Sequence, residues 1–542
     1  MGAGMNRKQL AALVTVLGSW PVLVHAAGVT PVMPASKEAL LPAKQGKVES
    51  LSLKDFVDLI RRSDEQVLVQ KLETDIAAQG VKGASAIFEP SFFIDASHEG
   101  QYVQNTSSEA LQRSGQAVYR AKDNNYKSGL DFKLPWGTDG EVFYNYSRLT
   151  NSLQIFSGIT EPEYKSSLGF KLTQPLLRNA GKEVTTTNIR VAEQDTLAAR
   201  ETERQVLAQR VMDGMVTYFN LQRARERVRF RTQALGLAET ILLDLRKQEK
   251  AGLKSAGDTL DAESAASLRR SQLAQGQQDL EEQQNLFQAF ISARERAKGV
   301  RLAVRRYEAA DPLVLLAQPA DMPVIAPAGE EPLIGEEGDV RIPAVFRESL
   351  ARRPEIRVND IRLEREAVRM RYAQNQKLPE VNLSVRYGVE DLKSGQYRNP
   401  DDYFGKYNNW SVGVQFRYYL FGDEKRSSEY EAANIRRRQV ELAQAALQQR
   451  IVNELESSSG VLEQGRQTVR RQQEIVNSQR QLLDIESNLV KEGKKSALDL
   501  MRKRLELLTA EESLADTIVI ANRASFLVSQ AHGLLLKRVG LE

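Results

Sequence analysis

Two kinds of hydrophobic pattern alternate along this chain of 542 residues, and they predict two kinds of structure. Apolar residues three and four apart over Ser52–Ala86 predict a helix, which Pro90 ends. Strict alternation of apolar and polar residues follows and predicts β-strands with one apolar face, near Phe92–Ala96, Leu130–Leu134, Val142–Tyr146 and Leu168–Leu172.

The next pattern predicts very long helices. Residues 183–250 contain no proline, and apolar residues recur there at every seventh position, at Leu221, Val228, Leu235 and Leu242. This is the spacing of a coiled coil. A turn near Gly252 leads into a second helix over residues 258–298, and the antiparallel pair that results predicts a helical hairpin.

The same order of elements then repeats. A first repeat over residues 51–298, with strands at about 91–174, is joined by a Pro-rich linker over 299–343 to a second repeat over 344–537. The second repeat has a helix interrupted at Arg353-Pro354, strands over 380–420, helices over 424–491 and 496–537, and a tail at 538–542. The turn Gly252-Leu-Lys-Ser255-Ala-Gly-Asp258 matches Gly493-Lys-Lys-Ser496-Ala-Leu-Asp499. The first repeat is longer by about 45 residues, which coincide with an extra hairpin over Tyr126–Leu149.

Composition narrows the classes of protein. The net charge is only +4, so nothing favours a nucleic-acid surface. Cysteine is absent, which excludes disulfides and thiolate sites, and the presence of only three histidines disfavours His-based metal sites. We expect no cofactor, no metal and no enzymatic activity, because no phosphate loop or nucleophile elbow is present.

The N-terminus has the features of an export signal. Arg7 and Lys8 precede an apolar run that ends at Val24-His25-Ala26, so residues 1–26 are predicted to be cleaved and 27–50 to form an arm.

Strands of the predicted length and one-sided polarity suit an outer membrane. Four to six strands cannot close a barrel, and open edges are costly in lipid, so copies of the chain must pool their strands. Three copies give twelve strands, or eighteen if the inserted hairpin joins the wall. We favour twelve, with the insertion as an outer loop. The alternative is an exported coiled-coil stalk without a pore.

Several segments together resemble the TolC-like family of outer-membrane efflux and export channels. They are Leu172-Thr-Gln-Pro175-Leu-Leu-Arg178, Arg353-Pro-Glu355, Leu378-Pro379, Tyr419-Leu-Phe421-Gly422 and the two matching turns. The resemblance implies a mainly α fold with a membrane β part: a homotrimer whose twelve-stranded barrel crosses the outer membrane and continues as a long periplasmic helical barrel. It also implies a passive conduit that docks with a periplasmic adaptor protein and an inner-membrane pump of the RND, ABC or MFS type.

The resemblance also suggests working residues. The periplasmic entrance would be ringed by Asp499, although Arg502 replaces the family's second acid and the first turn has Asp258 and Asp261 instead. We hypothesise a Lys495–Asp258 contact that helps to keep the entrance closed. The turns would dock the adaptor through Gly252, Ser255, Gly493 and Ser496. Strand–helix junctions are expected at Pro175, Pro379 and Gly422, and membrane-interface aromatic residues at Trp136, Trp410, Tyr418 and Tyr419.

Overall fold

The computed structural model describes residues 48–156, 161–291, 306–317, 344–394 and 407–541. The predicted signal, the arm as far as residue 47 and most of the linker lie outside the described residues. The first repeat contains β1 (Val48–Leu51), α1 (Leu53–Ser63), α2 (Glu65–Ser85), β2 (Ser91–Gln104), α3 (Ser107–Gln112), β3 (Val118–Lys133), β4 (Asp139–Asn151), α4 (Ser152–Phe156), β5 (Glu163–Pro175), α5 (Lys182–Thr185), α6 (Thr187–Lys250) and α7 (Ala256–Ala289). The linker contributes β6 (Arg306–Ala309). The second repeat contains α8 (Ala344–Arg352), α9 (Pro354–Gln376), β7 (Glu380–Ser394), β8 (Tyr407–Arg417), α10 (Glu424–Lys491), α11 (Ala497–Ala531) and α12 (Leu535–Arg538).

Six strands form one antiparallel sheet in the order β2-β3-β4-β5-β7-β8. The inserted hairpin β3–β4 lies inside this sheet, between β2 and β5, and not in a loop separate from it. The half of the hairpin farther from the β3–β4 turn is polar, includes Asp123, Asn124 and Asn125, and shows little alternation in sequence. Its backbone nevertheless pairs with the neighbouring strands.

The two long helices lie close to the predicted bounds. α6 has 64 residues and α10 has 68, so each is on the order of 100 Å long. Leu455, Leu462, Val469 and Val476, which are seven residues apart, are buried along α10. α6 packs against α2, α7, α9 and α11 and therefore joins the two repeats. None of the described helices combines the length and the hydrophobicity needed to cross a membrane.

The helix predicted over Ser52–Ala86 is broken at Asp64. One oxygen of this buried carboxylate accepts hydrogen bonds from the backbone N–H groups of Gln66 and Val67 and so caps α2. Arg210 of α6 donates to the other oxygen at 2.6 Å. Asp64 therefore both caps α2 and attaches the start of α2 to the long helix α6.

The largest core lies where the repeats meet. Phe56, Tyr218 and Phe287 are fully buried there and their rings pack together. Beside them β1 pairs in parallel with β6, and the Asp311 carboxylate accepts from the Leu53 N–H at 2.7 Å and from the Tyr218 hydroxyl at 2.8 Å. Sequence patterns missed both short strands, which fall in the predicted arm and linker.

Candidate functional site

The sheet has two chemically different faces. Opposed residues of neighbouring strands share a face, and one row of them crosses all six strands: Phe92, Leu130, Val142, Phe170, Tyr387 and Trp410. All six side chains of this row are exposed. We call the face that bears this row the apolar face. The opposite, polar face carries Asp95, Lys127, Lys171 and Arg386, so each strand has one side suited to lipid and one suited to water.

Aromatic residues lie at both ends of the apolar face. Tyr126, Tyr146 and Tyr164 form a ladder across three strands at the end away from the long helices, with ring centroids 6.2–6.4 Å apart. Trp136, Tyr418 and Tyr419 lie at the helix end and are exposed. Trp410 is exposed on the apolar face, opposite Tyr387, and its place at an interface stays a prediction.

The strand–helix junctions of the two repeats lie against each other. Pro175 stands opposite Asn382 at the end of the β5–β7 pair, and the Arg178 N–H donates to the Pro379 carbonyl at 3.3 Å. Gly422 has φ +85°, a left-handed conformation that ends the extended chain without a Cβ penalty. Pro379 and Gly422 line the same cleft as Arg178.

Arg178 is the residue of this junction that sequence reasoning did not single out, although the motif that ends in it was quoted. Its side chain is buried, its Nε donates to the Leu378 carbonyl at 3.0 Å, and it lies 3.8 Å from Glu380. Burial acts to raise the pKa of Asp423, but hydrogen bonds from Arg426 and the charges of Arg426 and Arg178 hold that pKa below its usual value. A buried arginine thus connects strands and helices of both repeats.

The two helical turns have closely similar backbones. Gly252 and Gly493 have φ +74° and +72°, as expected for glycines that end a long helix. Ser255 and Ser496 then cap the returning helices α7 and α11 through their hydroxyl groups. All four residues are exposed and remain available for the predicted docking.

The charges at the turns differ from the hypothesis. Lys495 pairs with Glu486 of its own hairpin at 2.5 Å, so the expected Lys495–Asp258 contact is not formed in the protomer. Hydrogen bonds from the backbone and hydroxyl of Ser255 hold the pKa of Asp258 below its usual value, and the charges of Lys254 and Arg502 act in the same direction. The charge that reaches Asp258 from the other turn is therefore that of Arg502. Sequence reasoning chose Lys495 from the resemblance alone, whereas the partner of a flexible lysine depends on tertiary packing.

Asp261 and Arg502 are exposed, whereas Asp499 is half-buried in the first turn of α11. In the described ranges, no three His, Asp or Glu side chains are grouped so that they could hold a metal ion.

Comparison with known proteins agrees with this geometry. Residues 345–518 match the family model described as outer membrane efflux protein. A search of curated protein sequences finds no match. The fold is similar to the Campylobacter jejuni CmeC outer membrane channel at 15% identity and a TM-score of 0.60, over 89% of this chain and 86% of that one.

It is similar also to the open state of the Neisseria gonorrhoeae MtrE outer membrane channel, at 15% identity and a TM-score of 0.56 over 90% of each chain. The Vibrio cholerae outer membrane protein VceC matches at 14% identity and a TM-score of 0.55, over 89% of this chain and 96% of that one. At such identities these structures establish the fold. The resemblance to TolC-like channels inferred from sequence is confirmed by this fold and by the family-model match within the second repeat.

Proposed function

We propose that this chain is the outer-membrane channel of a tripartite efflux or export system, assembled as a homotrimer. Its sheet forms part of a transmembrane wall, and its long helices extend into the periplasm. The observation that carries the proposal is the exposed apolar row that crosses six strands, because a water-soluble sheet would bury such a face. A coiled-coil stalk without a pore has no use for it.

Edge chemistry supports assembly from several copies. Among the described residues, β2 and β8 are the outer strands of the sheet, and each leaves one side of its backbone unpaired. In lipid each unpaired backbone group costs several kcal/mol, so the edges must pair with another copy. β2 runs away from the helices and β8 runs towards them, so β8 of one copy meets β2 of the next in antiparallel orientation.

The helical turns are the end at which the channel meets a periplasmic adaptor and, through it, an inner-membrane pump. They are the parts of the protomer farthest from the sheet along helices of 64 and 68 residues. Three copies of Asp499, Asp258 and Arg502 would set the potential at this entrance. In this arrangement Arg502, opposite Asp258, takes the closing role first assigned to Lys495.

The membrane role is tested by a pair of variants in β5. Phe170→Arg places a charge on the apolar face, where it costs about 2–4 kcal/mol at mid-bilayer, whereas Ser167→Arg places the same charge on the polar face. We expect Phe170→Arg to lose the heat-resistant trimer from outer-membrane fractions and Ser167→Arg to retain it. Wild-type protein recovered as a soluble periplasmic rod would overturn the proposal in favour of the stalk.

The entrance is tested in planar bilayers. Arg502→Asp replaces a positive charge by a negative one in each copy, so the single-channel conductance should rise and the reversal potential in a salt gradient should shift towards cations. Arg437→Asp, on α10 far from the turns, is the control and should leave both values unchanged. Equal behaviour of the two variants would remove Arg502 from the entrance.

A further inference from the structure

Both strands of the inserted hairpin β3–β4 pair with neighbouring strands of the sheet along most of their length. β3 pairs with β2 along the whole of β2, Ser91–Gln104. β4 pairs with β5 over eleven of its own positions, from Asp139 to Leu149. We propose that both inserted strands cross the outer membrane, so that each protomer contributes six strands and the trimer closes an eighteen-stranded barrel. This inference rests on the proposed membrane channel.

The apolar face continues through the insertion, with Ser128 as the polar member of one row. At one height the row reads Ile94, Ser128, Tyr144 and Leu168 from β2 to β5, and at the next it reads Phe92, Leu130, Val142 and Phe170. An extracellular loop would have no reason to keep apolar side chains in step with the neighbouring wall strands. A one-residue slip would turn every one of these side chains to the other face.

The polar face of the insertion is equally fitted to its neighbours. The Lys127 ammonium of β3 lies 5.2 Å from the ring centres of both Phe93 in β2 and Phe143 in β4, and it pairs with Glu141. The Phe93 ring occupies the space that a side chain at Gly129 would need, since its Cζ would lie 2.8 Å from an added Cβ. The hairpin is therefore interlocked with the strands on both sides.

The turn between β3 and β4 is bound to the strand–helix junction. The Gly181 N–H donates to the Trp136 carbonyl at 3.1 Å, and Thr138 donates to Gln174. Gly137 has φ +98°, and an added Cβ there would lie 2.6 Å from the Asn179 carbonyl oxygen. The β3–β4 turn thus lies at the same level as Pro175, where β5 ends.

Six is an even number, so the insertion keeps β2 and β8 antiparallel for closure between copies. Barrel diameter grows roughly linearly with strand number, so eighteen strands give an outer part about 1.5 times as wide as twelve. The helical tube gains no helix from the insertion, because β3 and β4 are joined by a tight turn. The outer part is therefore wider, relative to the same helical tube, than a twelve-stranded barrel would be.

Single cysteines test the placement, since the natural chain has none. Ser128→Cys in β3 and Leu168→Cys in β5 lie on the apolar face at the same height, and Asn145→Cys in β4 lies on the polar face. Each would be labelled with a small fluorophore in reconstituted trimers. Quenching would be measured with bilayers of brominated phosphatidylcholine and with aqueous iodide. We expect brominated lipid to quench the labels at 128 and 168 to the same extent and to spare the label at 145.

Quenching of the label at 128 by iodide alone, with normal lipid quenching at 168, would overturn the eighteen-stranded wall and leave the channel intact. Absence of lipid quenching at 168 would instead overturn the proposed membrane function. Val142→Cys, on the same apolar face of β4, replaces Ser128→Cys if that variant forms no heat-resistant trimer.

Discussion

The two repeats of this chain have the same order of elements but different numbers of strands in the large sheet. In the second repeat β7 pairs directly with β8, whereas in the first repeat β3 and β4 separate β2 from β5. A whole antiparallel hairpin can enter a sheet in this way because it preserves the direction and the facing of every other strand. A single added strand would reverse the direction of those that follow.

The largest expected effect comes from making the first repeat like the second. Deletion of residues 105–151 removes β3 and β4 and leaves β2 free to pair with β5, as β7 pairs with β8. The barrel should narrow by about one third, because diameter follows strand number. Projection images of purified trimers, viewed down the barrel axis, measure this directly.

Deletion of Ser107–Gln112 alone removes helix α3 outside the sheet and serves as the control, with the wild-type diameter expected. A wild-type diameter for the long deletion as well would contradict a wall role for the insertion.

A substitution at Gly129 tests whether β3 packs tightly between β2 and β4. In Gly129→Val the new atoms overlap the Val142 carbonyl and the Phe93 ring, and overpacking of this kind costs about 1–3 kcal/mol in each protomer. We expect a lower thermal midpoint of trimer dissociation. The neighbouring change Ser128→Val adds the same side chain on the apolar face and should be neutral or stabilising. Equal midpoints for the two variants would show that β3 does not pack between β2 and β4.

At the junction the repeats differ in the residue that corresponds to Arg178. When Ser167–Leu172 is aligned with Ser411–Phe416, Gly422 occupies the place of Arg178. Arg178→Ala removes a buried charged donor and should cost about 1.5–3 kcal/mol. Arg417→Ala removes an exposed partner of the same Glu380, which is worth about 0.2–1 kcal/mol. Chemical unfolding of reconstituted protein should rank the variants in that order, and the reverse order would refute the junction role of Arg178.

The smallest effect concerns the turns. Only the first turn has a reciprocal capping box, in which the Asp258 carboxylate accepts from the Ser255 N–H at 3.2 Å. The lowered pKa of Asp258 means that this stabilisation is present above the carboxyl's usual pKa and is lost as pH falls through the lowered value. Hydrogen exchange in the first turn of α7 should therefore accelerate, relative to α11, on acidification.

Asp258→Asn should remove this pH difference between the turns, and Asp261→Asn should preserve it. If Asp261→Asn removed it instead, the capping box would not be its source.

Sequence reasoning reached the repeats, the long helices and the strands because each depends on a period that is visible in the chain. It failed where tertiary contacts decide. The Asp64 break depends on Arg210, and the pairing of Lys495 with Glu486 depends on hairpin packing. β1 and β6 pair from segments far apart in the chain. The insertion was identified as a hairpin from its alternating residues, but alternation alone does not show whether a hairpin joins the neighbouring strands, so twelve strands were favoured over eighteen.

The most direct test of the account is a strand count in the purified assembly, imaged by electron cryomicroscopy in lipid nanodiscs. The account predicts three protomers around one axis and eighteen strands within the bilayer, with β3 and β4 between β2 and β5 in every copy. Twelve strands in the bilayer, with residues 118–151 outside it, would contradict it.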